Sequence, residues 1–306
     1  MGERTPGMSA DIFIAAQDGL RLHVRDYGAP GAGRALPVVC LPGLARTVAD
    51  FDMLAPALAN GDPPRRVIAL DSRGRGQSDY DRNPANYNLA VELADAVSVL
   101  TALEIGPAVF IGSSRGGLLT MLLAVAHPTA VAGAVLHDIG PVIDPKGLAR
   151  IKSYVGKLPQ PRDYADGAEF LRRLSDSHFP KLTPEQWLAA AQRTWKSDGG
   201  RLVPTYDVRL SQTLAEIDIE RPLPAMWNEF DALKRVPVLL IRGANSDILS
   251  AETAAAMREH HPGMETIEVP DQGHVPTLDD TALIAQIAEF IGRSDAAFHA
   301  ARPGSR

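Results

Sequence analysis

The stretch that most constrains this chain is Val109-Phe110-Ile111-Gly112-Ser113-Ser114-Arg115-Gly116-Gly117-Leu118-Leu119. A β-branched apolar run stops at Gly-x-Ser-x-Gly, and an apolar run of helical period follows. Strand, very tight turn and helix in succession present a serine hydroxyl at the top of a sheet. Such a turn forces its central residue into strained backbone angles. Small residues two before and two after it let strand and helix pass closely. With Ser114 at the apex, those neighbours are Gly112 and Gly116; with Ser113 they are Ile111 and Arg115, which do not fit. Ser114 is therefore the candidate nucleophile and Ser113 a spacer.

On either side, strand and helix signals alternate. Apolar runs at 37–41, 66–70, 131–136 and 236–241 read as strands covered on both faces. A further strand is expected at 264–269, and a hairpin at 11–16 and 20–27 turns through Gln17-Asp18-Gly19. Helices are expected at 50–59, 89–103, 251–261 and 279–291. From 142 to 233 the alternation stops. There Asp144-Pro145 reads as a cap with a first-turn proline, Thr183-Pro184-Glu185-Gln186 as a capping box and Asp198-Gly199-Gly200 as a turn. The expected organisation is a disordered start (1–10), an α/β core (11–141 and 234–293), a helical cap inserted at 142–233 and a frayed tail (294–306). Alternation of this kind builds a mostly parallel sheet with helices on both faces. Chemistry in such sheets sits beyond the carboxyl ends of the strands, where every motif used here lies.

Composition narrows the class. The chain has 306 residues, 45% hydrophobic and 22% charged, with a formal net charge of -6. No basic patch stands out, which argues against nucleic acid or an anionic membrane as partner. The single cysteine, Cys40, lies in an apolar strand and reads as a small buried hydrophobe. With no second cysteine there is no intrachain disulfide, and a reducing compartment is compatible. Residues 1–10 lack the basic start and apolar segment of a signal peptide, and no apolar run nears the ~18 residues of a membrane span. A cytoplasmic location is expected. The eight histidines do not cluster as ligands, and Glu259-His260-His261 lacks metal-site spacing, so neither metal nor cofactor is expected.

A serine hydroxyl needs a base within hydrogen-bond reach, and the base needs an orienting acid. His274, in Asp271-Gln272-Gly273-His274-Val275-Pro276, follows the last strand in a tight loop and is the candidate base; His137 is its only serious rival. Asp247 follows the penultimate strand and is the preferred acid, in the order Ser, Asp, His. Asp138, directly after the strand that follows the serine turn, is the alternative. For the oxyanion formed on attack, the expected donors are the backbone N–H groups of Arg115, at a helix N-terminus, and of Leu44, after Pro42-Gly43. Arg46 is expected at the solvated surface, with added charge near the oxyanion as its alternative role. Tyr154, Trp187 and Trp227 are the cap residues expected to line a substrate site.

Taken together, Leu41-Pro42-Gly43-Leu44, the loop Asp71-Ser72-Arg73-Gly74-Arg75-Gly76-Gln77-Ser78, Gly112 to Gly117, Asp247 and Gly273-His274 resemble the α/β-hydrolase superfamily over most of the chain. The resemblance implies an eight-stranded, mostly parallel sheet with a helical cap, and is strongest to serine carboxylesterases, lactonases and C–C hydrolases. One departure is Leu41-Pro42-Gly43, where many relatives carry His-Gly. The serine sets the chain apart from branches with an aspartate nucleophile. The resulting expectation is a cofactor-free serine hydrolase of small-molecule carboxylic esters. A lactonase, a C–C hydrolase and a perhydrolase are alternatives with the same machinery; a small-molecule receptor with little turnover is one of another class. No arginine pair in the cap stands out as a carboxylate clamp, which favours neutral, apolar esters.

Overall fold

The structure, a computed structural model, describes residues 9–28, 35–215, 217–218 and 223–301. The expected disorder at the start and the last residues of the tail lie mostly outside them. The chain opens with the expected hairpin, β1 (Ser9–Ala15) and β2 (Arg21–Tyr27). At its turn Gly19 adopts φ 85°, and Asp18 Oδ1 accepts the Leu20 N–H. Then follow β3 (Val38–Leu41), α1 (Leu54–Ala59), β4 (Val67–Leu70), α2 (Leu89–Ala102), β5 (Ala108–Ser113), α3 (Arg115–Ala126) and β6 (Val131–His137). The intervening segment holds α4 (Pro145–Tyr154), α5 (Tyr164–Ser175), α6 (Pro184–Thr194), β7 (Trp195–Asp198), β8 (Arg201–Pro204), α7 (Leu210–Ala215) and α8 (Trp227–Asp231). The chain closes with β9 (Val238–Gly243), α9 (Ala251–His260), β10 (Glu265–Val269) and α10 (Thr281–Ala300).

Eight strands form one sheet in the order β1-β2-β4-β3-β5-β6-β9-β10. The two strands of the opening hairpin are antiparallel to their neighbours; the rest of the sheet is parallel. β3, β4, β5, β6 and β9 are buried along their whole length, as central strands covered on both faces must be. Alternate residues feed two cores. Phe110 and Leu240 pack under α2, α3, α8 and α9; Ile111 and Ile241 pack under α1 and α10.

Three elements differ from the sequence reading. The helix expected at 50–59 is a 3-10 turn at Val48–Phe51, capped by Thr47, followed by the short α1. The Asp198-Gly199-Gly200 turn joins two strands, β7 and β8, that the helical reading of the insert passed over; Gly199 and Gly200 both take positive φ, as a tight hairpin requires. The last helix runs to Ala300, so its last turns occupy positions expected in a frayed tail. Tertiary contacts hold that extension: Ser294 is buried, and Asp295 accepts from the Leu36 N–H and pairs with Arg65 at 3.0 Å. No helix of the described residues is long and apolar enough to cross a membrane.

Candidate active site

Ser114 stands between β5 and α3 with φ 50° and ψ -113°, outside the regions a serine normally occupies. Holding such a residue costs on the order of 1–3 kcal/mol, so its surroundings must fix it. They do so by close packing. A Cβ on Gly112 would lie 2.5 Å from the Gly116 backbone, and one on Gly116 would lie 2.0 Å from the Leu41 carbonyl oxygen. The Ser114 N–H donates to the His137 carbonyl at 2.9 Å, and its own carbonyl accepts from Gly117 at 2.8 Å. Ser113 turns away and meets His137 Nδ1 at 3.0 Å in the interior.

His274 reaches Ser114 from beyond β10. Its loop is clamped to the end of β9: Asn245 N–H donates to the Gln272 carbonyl at 2.9 Å, and a Cβ on Gly243 would lie 2.4 Å from that same oxygen. His274 Nε2 lies 2.8 Å from Ser114 Oγ, and its Nδ1 lies 2.8 Å from Asp138 Oδ2. The carboxylate fixes the tautomer: Nδ1 carries the proton and donates to Asp138, which leaves Nε2 free to accept from the serine hydroxyl. Asp138 is fully buried and takes two further bonds, from the Gly243 N–H to Oδ1 (2.8 Å) and from Ser246 Oγ to Oδ2 (2.6 Å).

The carboxylate on His274 is thus Asp138, and the preference for Asp247 is corrected. β6 lies between β5 and β9, and Asp138 is its first residue beyond the sheet, one strand from Ser114. Asp247 lies farther along its loop and faces the cap. It pairs with Arg150 of α4 through two bonds of 2.6 and 2.8 Å, and His178 Nε2 stands 3.5 Å away. Burial works against the charged Asp247 carboxyl, yet the Arg150 pair holds it below the usual carboxylate range. The rival base His137 is sealed in the interior. Burial pushes its imidazole down to about 4, so it stays neutral at pH 7.

Leu44 and Arg115, the expected oxyanion donors, are tied together by a buried ionic chain. Arg75 Nε donates to the Leu44 carbonyl at 2.7 Å, and its Nη1 to Glu92 Oε1 at 2.8 Å. Arg115 Nε donates to the other Glu92 oxygen at 2.6 Å. Burial disfavours a charge on Glu92, but the two guanidinium groups hold it below the usual range.

A cavity of about 200 Å³ opens over Ser114 and His274, roofed by α4, α5 and α6. Tyr154 and Trp187 line it. Trp227 does not: it stacks on His260 with ring centroids 4.3 Å apart and packs edge-on against Phe230. The walls are not purely apolar, although no arginine pair stands out in the sequence of the cap. Arg46, Arg150 and Arg193 all line the cavity. Arg46 turns inward to pair with Asp50 instead of facing solvent. Arg193 shares a face of α6 with Trp187 and Ala190, six and three residues earlier.

Residues 38–287 match the model of the alpha/beta hydrolase family. The chain belongs to that family. It is 34% identical over 277 residues to a 3-hydroxybutyrate-oligomer hydrolase of Cupriavidus necator, covering 88% of this chain and 92% of the relative. A 2-hydroxymuconate semialdehyde hydrolase of a Pseudomonas species is 27% identical over 301 residues, covering 96% and 98%. The crystal structure of an alpha/beta hydrolase from Novosphingobium aromaticivorans superposes with a TM-score of 0.84 at 42% identity, covering 95% of this chain and all of that one.

In this α/β hydrolase, the sequence reading missed the parts played by Arg75 and Glu92 and the cavity positions of Arg150 and Arg193. Glu92 had a signal. It sits with Asp95 on the helix face that also carries buried Val99, facing a loop that holds Arg73 and Arg75. Two carboxylates on a core-facing stripe call for buried cations. Arg193 had none, because nothing local shows which face of a cap helix meets the cavity.

Proposed function

We propose that this α/β hydrolase cleaves carboxylic esters through an acyl-enzyme on Ser114. The observation that carries the reading is the unbroken relay from Ser114 Oγ through His274 to Asp138, each link 2.8 Å. Ser114 Oγ attacks the ester carbonyl while its proton passes to His274 Nε2. Asp138 stabilises the imidazolium so formed. The oxyanion is met by the backbone N–H groups of Arg115 and Leu44, which the Arg75–Glu92–Arg115 chain holds in register. Collapse expels the alkoxide, which takes the proton from His274 and leaves as the alcohol. Water then gives a proton to His274 and attacks the acyl carbonyl; the acid departs and Ser114 recovers its proton.

The name of the Cupriavidus relative supports an ester, since oligomers of a hydroxy acid are joined by ester bonds. The small cavity supports a compact substrate. The test is a panel of short-chain esters, lactones and vinylogous diketones, with product analysis and a Ser114→Ala control. Serine-dependent release of acid and alcohol from the esters is the expected result. Turnover confined to lactones or diketones, or ligand binding without turnover, would replace the reading.

A further inference from the structure

The charges around the cavity do not balance. Arg150 is matched by Asp247 through two bonds. Arg46 and Arg193 share a single carboxylate, Asp50. Arg46 holds it with Nε at 2.7 Å and with Nη2, while Arg193 Nε stands off at 3.6 Å. Among the described residues, no other carboxylate lies within ion-pair distance of either, and the Arg193 guanidinium makes no hydrogen bond. Burial, and then the charge of Arg46, pull Arg193 below the usual guanidinium range, against the attraction of Asp50, Asp279 and Asp52. Arg193 is thus held in a partly desolvated wall with one ion-pair partner, Asp50, which it shares with Arg46 at the longer distance.

The stem of Arg46 lies close to the nucleophile. A Cβ on Gly43 would stand 3.6 Å from Ser114 Cβ and 3.2 Å from Arg46 Cγ, so one small group spans the two. Arg46 Nη1 has only a long contact, 3.4 Å to Thr194 Oγ1. Thr194, Arg46 and Arg193 border the same cavity as Ser114. A planar carboxylate matches the fork of a guanidinium, and an anion there supplies the charge that Asp50 alone does not.

We infer that the substrate carries a free carboxylate, a short aliphatic chain from the scissile carbonyl, seated against Arg193 and Arg46. This deepens the ester-hydrolase reading and rests on it. The carboxylate belongs either to the acyl half, as in the monomethyl ester of glutarate, or to the alcohol half, as in 3-acetoxypropionate.

The test measures kcat/KM for each of these two anions beside its neutral methyl ester, in the wild type, Arg193→Gln and Arg193→Lys. In the wild type at least one anion should be preferred over its neutral partner by about tenfold or more, the worth of one charge-assisted hydrogen bond. Whichever pair shows the preference identifies the half that carries the charge. The anion-to-neutral ratio should fall toward one in Arg193→Gln and recover in part in Arg193→Lys. Glutarate should compete with neutral-ester turnover in the wild type at low salt and lose potency as salt rises. That measurement needs no variant to fold. Turnover of neutral esters with no anionic preference, or a ratio unchanged by Arg193→Gln, overturns the charge assignment and leaves the ester reading standing. No turnover of any ester overturns both.

Discussion

Replacing Asp138 by Asn separates the two candidate acids, and the hydrogen bonds around it fix the outcome. Every neighbour of this carboxylate is a donor: Gly243 N–H on Oδ1, Ser246 O–H and His274 Nδ1–H on Oδ2. Ser246 Oγ already accepts from the N–H groups of Ile248 and Leu249, so its own proton points at Asp138. Asn can present an acceptor to only one side. Turning its amide group toward Gly243 sets two donors 2.8 Å apart, one of them a rigid backbone N–H. Turning it toward Ser246 and His274 is the cheaper choice, because a hydroxyl rotates and an imidazole can shift its proton. His274 then carries the proton on Nε2 and cannot accept one from Ser114. The expected fall in kcat/KM is about 10⁴-fold, or about 5.4 kcal/mol at 1.36 kcal/mol per decade. The assay is hydrolysis of a chromogenic short-chain ester, with Asp247→Asn as the parallel variant and circular dichroism to confirm folding. Asp247→Asn should stay within about tenfold of wild type, since its carboxylate lies on Arg150 and not on the base. Near-normal turnover in Asp138→Asn, or the large loss in Asp247→Asn instead, would refute the reasoning.

Other outcomes follow from the same geometry. Gly112→Ala should destabilise the fold by about 3 kcal/mol, because its Cβ would lie 2.5 Å from the Gly116 backbone; thermal denaturation checks this. Glu92→Gln should cost about 3 kcal/mol in urea unfolding and also lower kcat, since it leaves the buried Arg75 uncompensated beside the Leu44 carbonyl. His137 gives a pH signature. Its folded value, about 4, lies below its ordinary value of 6.5, so the unfolded chain binds the proton more readily between them. The stability it contributes is complete above pH 6.5 and is lost as pH falls toward 4. Between pH 7 and 4.5 the wild type should lose about 2 kcal/mol more than His137→Gln in urea titrations. Parallel losses would contradict the assignment.

The sheet was legible because its central strands are unbroken apolar runs, and the serine turn because only Gly112 and Gly116 permit the crossing of strand and helix. His274 was legible from its place in a tight loop after the last strand. Asp138 was harder. Both aspartates follow strands, and what separates them is tether length: Asp138 leaves β6 at once, while Asp247 lies beyond a turn that delivers Ser246, not Asp247, to the site, where it bonds Asp138. The hairpin β7–β8 escaped because four-residue strands carry no usable alternation. The cationic cavity wall escaped because Arg46 and Arg193 meet only when the cap folds over the sheet, a tertiary event with no local trace.

The central claim, that Ser114 is made nucleophilic by His274, is tested most directly by intact-protein mass spectrometry after exposure to a fluorophosphonate. The account predicts one adduct per chain, mapped to Ser114 and lost in both Ser114→Ala and His274→Ala. An unlabelled wild type, or labelling that persists without His274, would contradict it.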